Sequence, residues 1–384
     1  MNIFKIEISK NRVFGLDILR AAAIFFVVFG HGINIFTDRM VRNILMVPVL
    51  DGVTIFFVLS GFLIGGILIK IADTTSMSLL IILEFWKRRW FRTLPNYVLI
   101  LSITYLLTGS GSLKLFIQYL FFSQNIIDRH PIFYPEAWSL SVEEWFYILI
   151  PIITFFFLKA GLKVQKVVLL LILMILVTSI SIRYYRFYTI EIHSLGEWDL
   201  IFRKQVITRL DSIMFGVLGA YINYFHSDLW KRHTIARLLV GIAFLFFHKL
   251  SFLDRSFMGL EFNAYYCVYS FLVSSMGTLL LLPFLSNYKK GSGAIYKIIT
   301  TISLISYSMY LINYSLVLHY IIPHFSTLIR PFIRGVNLEI ISYLTYWSVT
   351  TLLSIIIYKY YESRVTKIRE KSLLTIFHNT ANSR

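Results

Sequence analysis

The segment FGLDILRAAAIFFVVFGHGINIF, residues 14–36, is apolar except for a few ionisable side chains. Arg20 and His31 lie eleven residues apart, which in an α-helix corresponds to about 20° beyond three full turns and a rise of about 16 Å. Both side chains therefore share one face of a helix, and Asp17 lies on a neighbouring part of that face. In this arrangement His31 could serve as a general base, while Arg20 could bind an anion or polarise a carbonyl group.

A structural interpretation of the same face is also open. Arg20 could extend its guanidinium to the lipid headgroups, and His31 could make an ordinary packing contact. A single histidine would favour this interpretation. Three ionisable groups along one apolar helix favour a functional site, because ionisable side chains inside a membrane are costly and are retained mainly where they act.

A second group of candidates is the basic segment FWKRRWFRTLP, residues 85–95, directly before an apolar run. Its basic residues are Lys87, Arg88, Arg89 and Arg92. Composition alone favours a basic anchor at the membrane surface. The functional alternative is a phosphate site at Arg88, Arg89 and Arg92, because guanidinium groups bind phosphate through two parallel hydrogen bonds.

The third group lies in WSLSVEEWFYILIP, residues 138–151, at the outer start of another apolar run. Glu143 and Glu144 could be solvated at a helix N-terminus, which the helix dipole favours. Alternatively, one of the two glutamates points inward and binds hydroxyl groups or orients a base. Both interpretations are open from the residues alone.

Other polar residues favour structural roles. Arg209 and Asp211 are expected to form a satisfied pair within a span, and Ser60 in FFVLSGFLIGG is expected to belong to small-residue helix packing rather than to act as a nucleophile. The single cysteine, Cys267, excludes an intramolecular disulfide and a cysteine-based zinc cluster. No phosphate-binding loop, dinucleotide fingerprint or histidine-rich spacing is present, so no metal is expected.

The composition places these residues in a membrane. The chain has 384 residues, of which 57% are hydrophobic and 15% are charged, against about 45–50% and about 25% in soluble domains. The net charge of +17 is explained by the enrichment of Lys and Arg in cytoplasmic loops. Nucleic-acid binding is therefore not expected. The predicted location is the cell membrane, either a cytoplasmic membrane or an inner membrane.

The apolar runs predict an all-α transmembrane bundle of about ten spans, each near 20 residues long. A first span that contains charged residues is expected to be retained, not cleaved as a signal peptide. The predicted spans are 14–36, 52–69, 94–113, 139–160, 166–183, 206–225, 236–253, 263–288, 298–329 and 340–358.

Starting the chain in the cytoplasm puts most basic residues on the inner side and both termini in the cytoplasm. The segment 112–126 is apolar but short. A span there would place Lys159, Lys163 and Lys166 outside, so the segment is predicted to be an external or re-entrant helix. The predicted organisation is one transmembrane domain, residues 1–360, followed by a basic cytoplasmic tail, residues 361–384.

Four motifs in this order resemble the acyltransferase 3 family of membrane acyltransferases. GLDILRAAAIFFVVFGHG has the family's arginine and histidine, and GVTIFFVLSGFLIGGIL resembles its second-span motif. RWFRTLPNY carries the Arg-x-x-Arg pair at Arg89 and Arg92, and WSLSVEEW resembles the family's WSLxxE motif, with its glutamate at Glu143. One departure is Asn313 in YSMYLINYS, where relatives often have a histidine.

The resemblance implies transfer of an acyl group, usually acetyl, from acetyl-CoA or another acyl-CoA to a hydroxyl of a cell-surface or lipid-linked carbohydrate. On this hypothesis His31 is a general base or a transient acyl carrier between a cytoplasmic donor and an outer acceptor. Arg20 binds phosphate or polarises the thioester, and Glu143 orients His31 or the acceptor. Arg88, Arg89 and Arg92 hold the donor, with Asp17 and Ser139 in support.

A rival hypothesis is a transporter or flippase for a lipid-linked sugar, in which the intramembrane charges line a path. Such proteins often contain internal repeats and broken paired helices, and no convincing repeat is visible in this sequence. A channel or a purely structural membrane protein is a weaker third hypothesis. The residues do not indicate an oligomeric state, and no further soluble domain is expected after the last span.

Overall fold

In the computed structural model, the chain is described over residues 12–109, 111–258 and 262–368. Lys5, Lys10 and the predicted tail from residue 369 onward lie outside these ranges. The described residues form helices and connecting segments, with no strand among them. The α-helices are α1 (Phe14–Gly32), α2 (Arg39–Met46), α3 (Gly52–Thr74), α4 (Leu79–Thr108), α5 (Leu113–Leu120), α6 (Ala137–Lys159), α7 (Val164–Thr189), α8 (Leu195–Trp198), α9 (Val206–Phe225), α10 (Ser227–Lys231), α11 (Thr234–Met258), α12 (Ser270–Asn287), α13 (Gly293–Ile312), α14 (Ile322–Ile329), α15 (Val336–Ile357) and α16 (Ser363–Ile368).

Within the described ranges, eight helical segments are long and apolar enough to cross a membrane. The chain is therefore a multi-pass membrane protein with an all-helical bundle, as its composition predicts. The eight segments are Phe14–Ile35, Gly52–Thr74, Ala137–Lys159, Val164–Thr189, Thr234–Leu253, Tyr265–Asn287, Gly293–Ile329 and Val336–Thr366.

The other two predicted spans, 94–113 and 206–225, correspond to α4 and α9, which have 30 and 20 residues. Both are more polar than the eight, because α4 contains the basic segment and α9 contains Arg209 and Asp211. The count of ten and the cytoplasmic termini stay predictions. In the segment 112–126, α5 has only 8 residues, too few to cross a bilayer.

Helices α3 and α9 pack closely against each other, and glycines make this contact possible. A Cβ atom built on Gly61 would overlap the carbonyl oxygen of Ile213, and one on Gly216 would overlap the carbonyl oxygen of Val58. Small residues let two backbones approach in this way within a membrane. The motif FFVLSGFLIGG therefore includes a packing element, as its small residues predict.

The predicted pairing of Arg209 with Asp211 is wrong. Asp211 instead accepts a hydrogen bond from Arg183 of α7, with 2.6 Å between Oδ2 and Nη2. Arg209 donates to the Thr54 hydroxyl at 2.6 Å and lies 4.4 Å from the centroid of the Phe271 ring. The physical reason is helical geometry, because residues two apart in a helix do not face each other.

The α3–α9 contact gives a testable prediction from a matched pair of substitutions on one helix. Gly61→Ala should lower the free energy of unfolding by about 1–3 kcal/mol or more, since the new methyl group forces the two backbones apart. Gly66→Ala is the control, because its Cβ would meet only the Cβ of Ala220 at 3.8 Å. Unfolding midpoints of both variants in the same detergent measure the difference. Equal midpoints would show that this contact does not hold the bundle together.

Candidate functional site

Two cavities lie within the helical bundle, and together they contain most of the predicted site residues. The first, called the inner cavity, has a volume of about 370 Å³. Its polar lining comes from α1, α3, α4, α6 and α13. These polar residues are Arg20, Ser60, Arg89, Arg92, Thr93, Ser139, Glu143, Tyr147, Ser306, Tyr307 and Tyr310.

The structure thus brings Arg20, Arg89 and Arg92 to one cavity although α1 and α4 are distant in the chain. The remaining lining is largely apolar and comes from α3, which contributes Leu63 and Ile64 among others. Three guanidinium groups beside an apolar channel can bind a ligand that has both phosphates and an uncharged arm.

Glu143 also lines the inner cavity, where it is tied to Tyr147. The Tyr147 hydroxyl donates to Glu143 Oε2 at 3.2 Å, so the Ser60 hydroxyl, 2.7 Å away, donates to Tyr147. The guanidinium of Arg89 lies over the Tyr147 ring, 6.0 Å from its centroid, and the charge of Glu143 interacts with those of Arg89 and Arg92. Glu143 therefore belongs to the group that surrounds the arginines.

Arg88 is not part of this group. Its side chain is 60% exposed and pairs with Glu84 one turn earlier on α4, with 2.9 Å between Nε and Oε1. Consecutive residues of a helix point about 100° apart, so Arg89 can face the cavity while Arg88 faces away. The grouping of Arg88 with Arg89 and Arg92 is therefore not what the structure shows.

Asp17 has a supporting position beneath Arg20. It is buried and bonded to Arg12, with 2.8 Å from the Arg12 Nε to Oδ2, and it accepts from the Ser303 hydroxyl at 2.7 Å. The Arg20 guanidinium is 4.0 Å away. Asp17 therefore joins α1 to α13, and it holds negative charge near Arg20.

The second cavity, called the outer cavity, has a volume of about 650 Å³. His31 lines it, together with Asn34 from the short turn after α1 and side chains from α3, α6, α11, α12 and the segment before α9. Its ionisable lining residues are His31, Asp51, Glu136, Asp199, Arg203, Lys204, His248 and Lys249.

His31 is held by Asn313, the first residue of a wide π-helical turn that spans Asn313–Ile321. The Asn313 amide donates to the carbonyl oxygens of Met309 and Tyr310 at 2.9 and 2.8 Å. With both hydrogens used, the amide oxygen faces His31 Nδ1 at 2.6 Å and also accepts from the Tyr346 hydroxyl at 3.3 Å.

This network determines the protonation of the His31 ring. An amide oxygen only accepts hydrogen bonds, so Nδ1 must carry the proton. In a neutral ring the lone pair then lies on Nε2. His31 therefore has the tautomer that a general base or a nucleophile requires at Nε2.

The structure does not bring Glu143 to His31. The hydrogen-bond partner of His31 is Asn313, 282 residues away in the chain, and Glu143 lines the other cavity. Asn313 is the position where the sequence departs from its resemblance, so the departure lies directly at His31. The hydrogen bond between Asn313 and His31 could not be predicted from the sequence, because nothing in the residues around Asn313 indicates its partner.

The two cavities meet at Tyr310 and Val53, which line both. The Tyr310 hydroxyl donates to the carbonyl oxygen of Glu136 at 2.9 Å, so the Ser139 hydroxyl donates to Tyr310 at 2.6 Å. Tyr310 was not among the site residues predicted from the sequence. Its segment contains several tyrosines, and nothing in the pattern indicated which of them lies between two cavities. Ser139 supports the wall between the cavities.

Charged groups at the floor of the outer cavity compensate one another. Burial would raise the pKa of Asp51, but Arg203, 3.4 Å from its Oδ1, and Arg209 outweigh burial and hold that pKa well below its usual range. Asp199 pairs with Arg203 at 2.9 Å and Lys204 at 2.6 Å, and these cations lower its pKa in the same way.

Glu136 differs from these acids because no cation among the described residues forms an ion pair with it. Burial raises the pKa of the Glu136 carboxyl to about 7, although hydrogen bonds from the Ser315 hydroxyl and backbone amide favour its ionised form. The Ser315 amide lies in the same π-helical turn that begins at Asn313. Glu136 thus connects the start of α6 to the turn that holds His31.

Curated relatives match part of this chain. The O-acetyltransferase OatA of Staphylococcus aureus is 28% identical over 250 residues, which is 60% of this chain and 38% of that protein. A putative O-acetyltransferase of the same organism is 28% identical over 237 residues, which is 54% of this chain and 34% of that protein. The chain thus spans less than two fifths of the length of these relatives. No solved structure matches it.

The family model described as an acyltransferase domain matches residues 13–359. This range includes all the helices that line the two cavities, from α1 to α13. The chain therefore belongs to the acyltransferase 3 family.

Proposed function

We propose that this protein transfers an acyl group, most simply acetyl, from a cytoplasmic acyl-CoA to a hydroxyl of a cell-surface or lipid-linked carbohydrate. The observation that carries the proposal is the pair of cavities that meet at Tyr310 and Val53. One contains three arginines suited to an anionic donor, and the other contains a histidine with its Nε2 free for chemistry. The relatives named as O-acetyltransferases support acetyl as the group and oxygen as the acceptor atom.

The donor is proposed to occupy the inner cavity. Its phosphates would bind Arg20, Arg89 and Arg92, because guanidinium forks match phosphate oxygens. Its uncharged arm would follow the apolar lining from α3 toward Tyr310. Glu143 is proposed to hold the arginines and Tyr147 in place around the donor, since it lies with them and not with His31.

In direct transfer, His31 Nε2 accepts the proton of the acceptor hydroxyl. The hydroxyl oxygen attacks the thioester carbonyl carbon, a C–O bond forms, the C–S bond breaks, and the imidazolium returns the proton to the departing thiolate. In the alternative with an acyl carrier, Nε2 itself attacks the carbonyl carbon, an N–C bond forms, the C–S bond breaks and CoA leaves as a thiolate. The acceptor hydroxyl oxygen then attacks the acyl-imidazolium, which releases His31, and the hydroxyl proton passes to the thiolate. Both routes require the Nδ1-protonated tautomer that Asn313 selects.

A thioester that reaches His31 from the inner cavity must pass the wall between the cavities. Tyr310 is held there by its bonds to Glu136 and Ser139. We propose that a change of the Tyr310 side-chain rotamer opens this passage when the donor is bound. The wall would otherwise keep water and the acceptor away from the thioester.

The direct test of the proposed function uses purified protein and acetyl-CoA labelled in its acetyl group. The proposal predicts CoA release that depends on added carbohydrate, with the label recovered on the carbohydrate as an ester. Movement of a lipid-linked sugar across vesicles without any CoA release would instead favour the transporter hypothesis.

His31 and Asn313 give the first prediction for this reaction. His31→Ala should abolish transfer, because a positioned base contributes about 10²–10⁴-fold. Asn313→Ala should lower kcat by about tenfold or more with little change in the KM for acetyl-CoA, because Nε2 then carries the proton in part of the molecules.

The matched control for Asn313 is Asn287→Ala, which removes the same side chain from the end of α12, where it donates to the carbonyl of Pro283 at 2.9 Å. Steady-state kinetics of the three variants measure the effect. Full activity of His31→Ala in protein that remains folded would refute the assignment.

The arginines give the second prediction. The double variant Arg89→Ala/Arg92→Ala should weaken acetyl-CoA binding by at least about tenfold, because two charge-assisted contacts to phosphate are lost. Arg88→Ala removes the same charge from the same helix and should leave the affinity close to that of the wild type, since Arg88 pairs with Glu84 outside the cavity. Calorimetric or fluorescence titration with CoA measures both. Equal losses in the two variants would show that the segment acts only through its net charge.

A further inference from the structure

We infer that the outer cavity contains an anion-binding subsite, formed by Lys249 and His248 of α11, for a carboxylate or phosphate group on the acceptor carbohydrate. This inference rests on the proposed function, because it concerns which carbohydrates reach His31. It adds a property that the two cavities alone do not specify, namely that the acceptor carries negative charge.

The carboxylates that line the outer cavity are all engaged by other groups. Asp51 accepts from the backbone amide and hydroxyl of Thr54, at 3.3 and 2.7 Å, and pairs with Arg203. Asp199 pairs with Arg203 and Lys204. Glu136 accepts from Ser315 at 3.0 and 2.6 Å. Each acid of this cavity therefore already accepts hydrogen bonds. Of the three cations in the lining, Arg203 and Lys204 pair with these acids.

Lys249 is the remaining cation of the lining. Over the described part of the chain it forms no ion pair with Asp or Glu, and its side chain is half-buried in the cavity wall. An ammonium group within a predominantly apolar helix is costly unless an anion or water compensates it. A ligand anion in the cavity would supply this compensation.

His248 lies beside Lys249 and lines the same cavity. Its Nδ1 atom is buried and has no hydrogen-bond partner within the described ranges. The ring lies against Phe252, with 5.0 Å between the two centroids. A buried ring nitrogen without a partner beside a half-buried ammonium indicates a place where a ligand, not the protein, completes the hydrogen bonds.

Arg209 places a further positive charge behind the Phe271 side of the outer cavity. Arg209 is fully buried, and its Nε and Nη1 have no hydrogen-bond partner among the described residues. It lies against the ring of Phe271, which lines the cavity. Buried charges are screened little by solvent, so Arg209 adds to the attraction that an anion near Lys249 experiences.

The rest of the cavity suits a sugar ring. Trp138, Trp198 and Tyr314 line it together with the hydroxyls of Ser270 and Ser274. Aromatic faces bury the apolar side of a ligand, while a few placed polar groups determine its orientation. With Lys249 and His248 on α11 and His31 on α1, a bound acidic sugar would be oriented between its charged group and the base.

Two sources could supply the anion, and they share one chemistry. One is the carboxylate of an acidic sugar, and the other is the phosphate that links a sugar to a lipid. Three matched acceptors separate them: a methyl hexoside, the corresponding methyl hexuronoside, and the corresponding hexoside phosphate. Transfer from labelled acetyl-CoA to each acceptor gives its kcat/KM.

The wild-type protein should prefer at least one anionic acceptor over the neutral hexoside by at least about tenfold. Lys249→Gln should remove most of this preference by raising the KM for the anionic acceptor. Lys249→Glu should invert the preference, and Lys249→Arg, which keeps the positive charge, should retain it. Lys166→Gln is the matched control, because Lys166 is exposed at the start of α7, away from both cavities. Acetyl-CoA binding by each variant shows that the inner cavity is intact.

The outcomes distinguish the inference from the proposed function. A preference for the hexuronoside or for the phosphate that disappears in Lys249→Gln supports the subsite and identifies its anion. Transfer that is equally fast to all three acceptors, or a preference that Lys249→Gln and Lys249→Glu leave unchanged, overturns the subsite but leaves the acyltransferase intact. CoA release that never depends on a carbohydrate overturns the proposed function itself.

Discussion

The hydrogen bond between His31 Nδ1 and Asn313 Oδ1 is the interaction on which the candidate site depends. Within a membrane, polar groups must find their partners inside the protein. The Asn313 amide donates both of its hydrogens, to the carbonyls of Met309 and Tyr310, and its oxygen accepts from His31. Because its hydrogens are used by the backbone, its oxygen must face the imidazole. The protonation of His31 is thus a consequence of how the helix widens at Asn313.

The same turn connects His31 to the division between the cavities. Tyr310 precedes it and lines both cavities, while Ser315 within it bonds to Glu136 at the start of α6. A movement of this turn would therefore act on the base, on the wall and on the outer cavity together. In the proposed reaction, the donor and the acceptor approach this one element from opposite sides, which gives a physical reason for the chemistry to occur within a membrane.

Much of this arrangement could be predicted from local spacing. The apolar runs indicated the helical membrane bundle, and the eleven-residue spacing correctly placed Arg20 and His31 on one helix. That spacing also implies a rise of about 16 Å along the helix. Because of this separation, Arg20 lines the inner cavity and His31 lines the outer cavity. The partners of His31 and of Asp211 come from other helices, and composition could not show that Arg89 faces inward while Arg88 does not.

The proposed mechanism requires the acyl group to cross from the inner cavity to the outer one. The most direct measurement uses sealed vesicles that contain the protein, with labelled acetyl-CoA added only on the side of Arg89 and Arg92. Soluble neutral and anionic oligosaccharides are enclosed on the opposite side. If the acyl group crosses between the cavities, labelled oligosaccharide forms in the compartment that never contained acetyl-CoA, and His31→Ala gives no such product. Label that appears only on carbohydrate in the same compartment as the donor would contradict it.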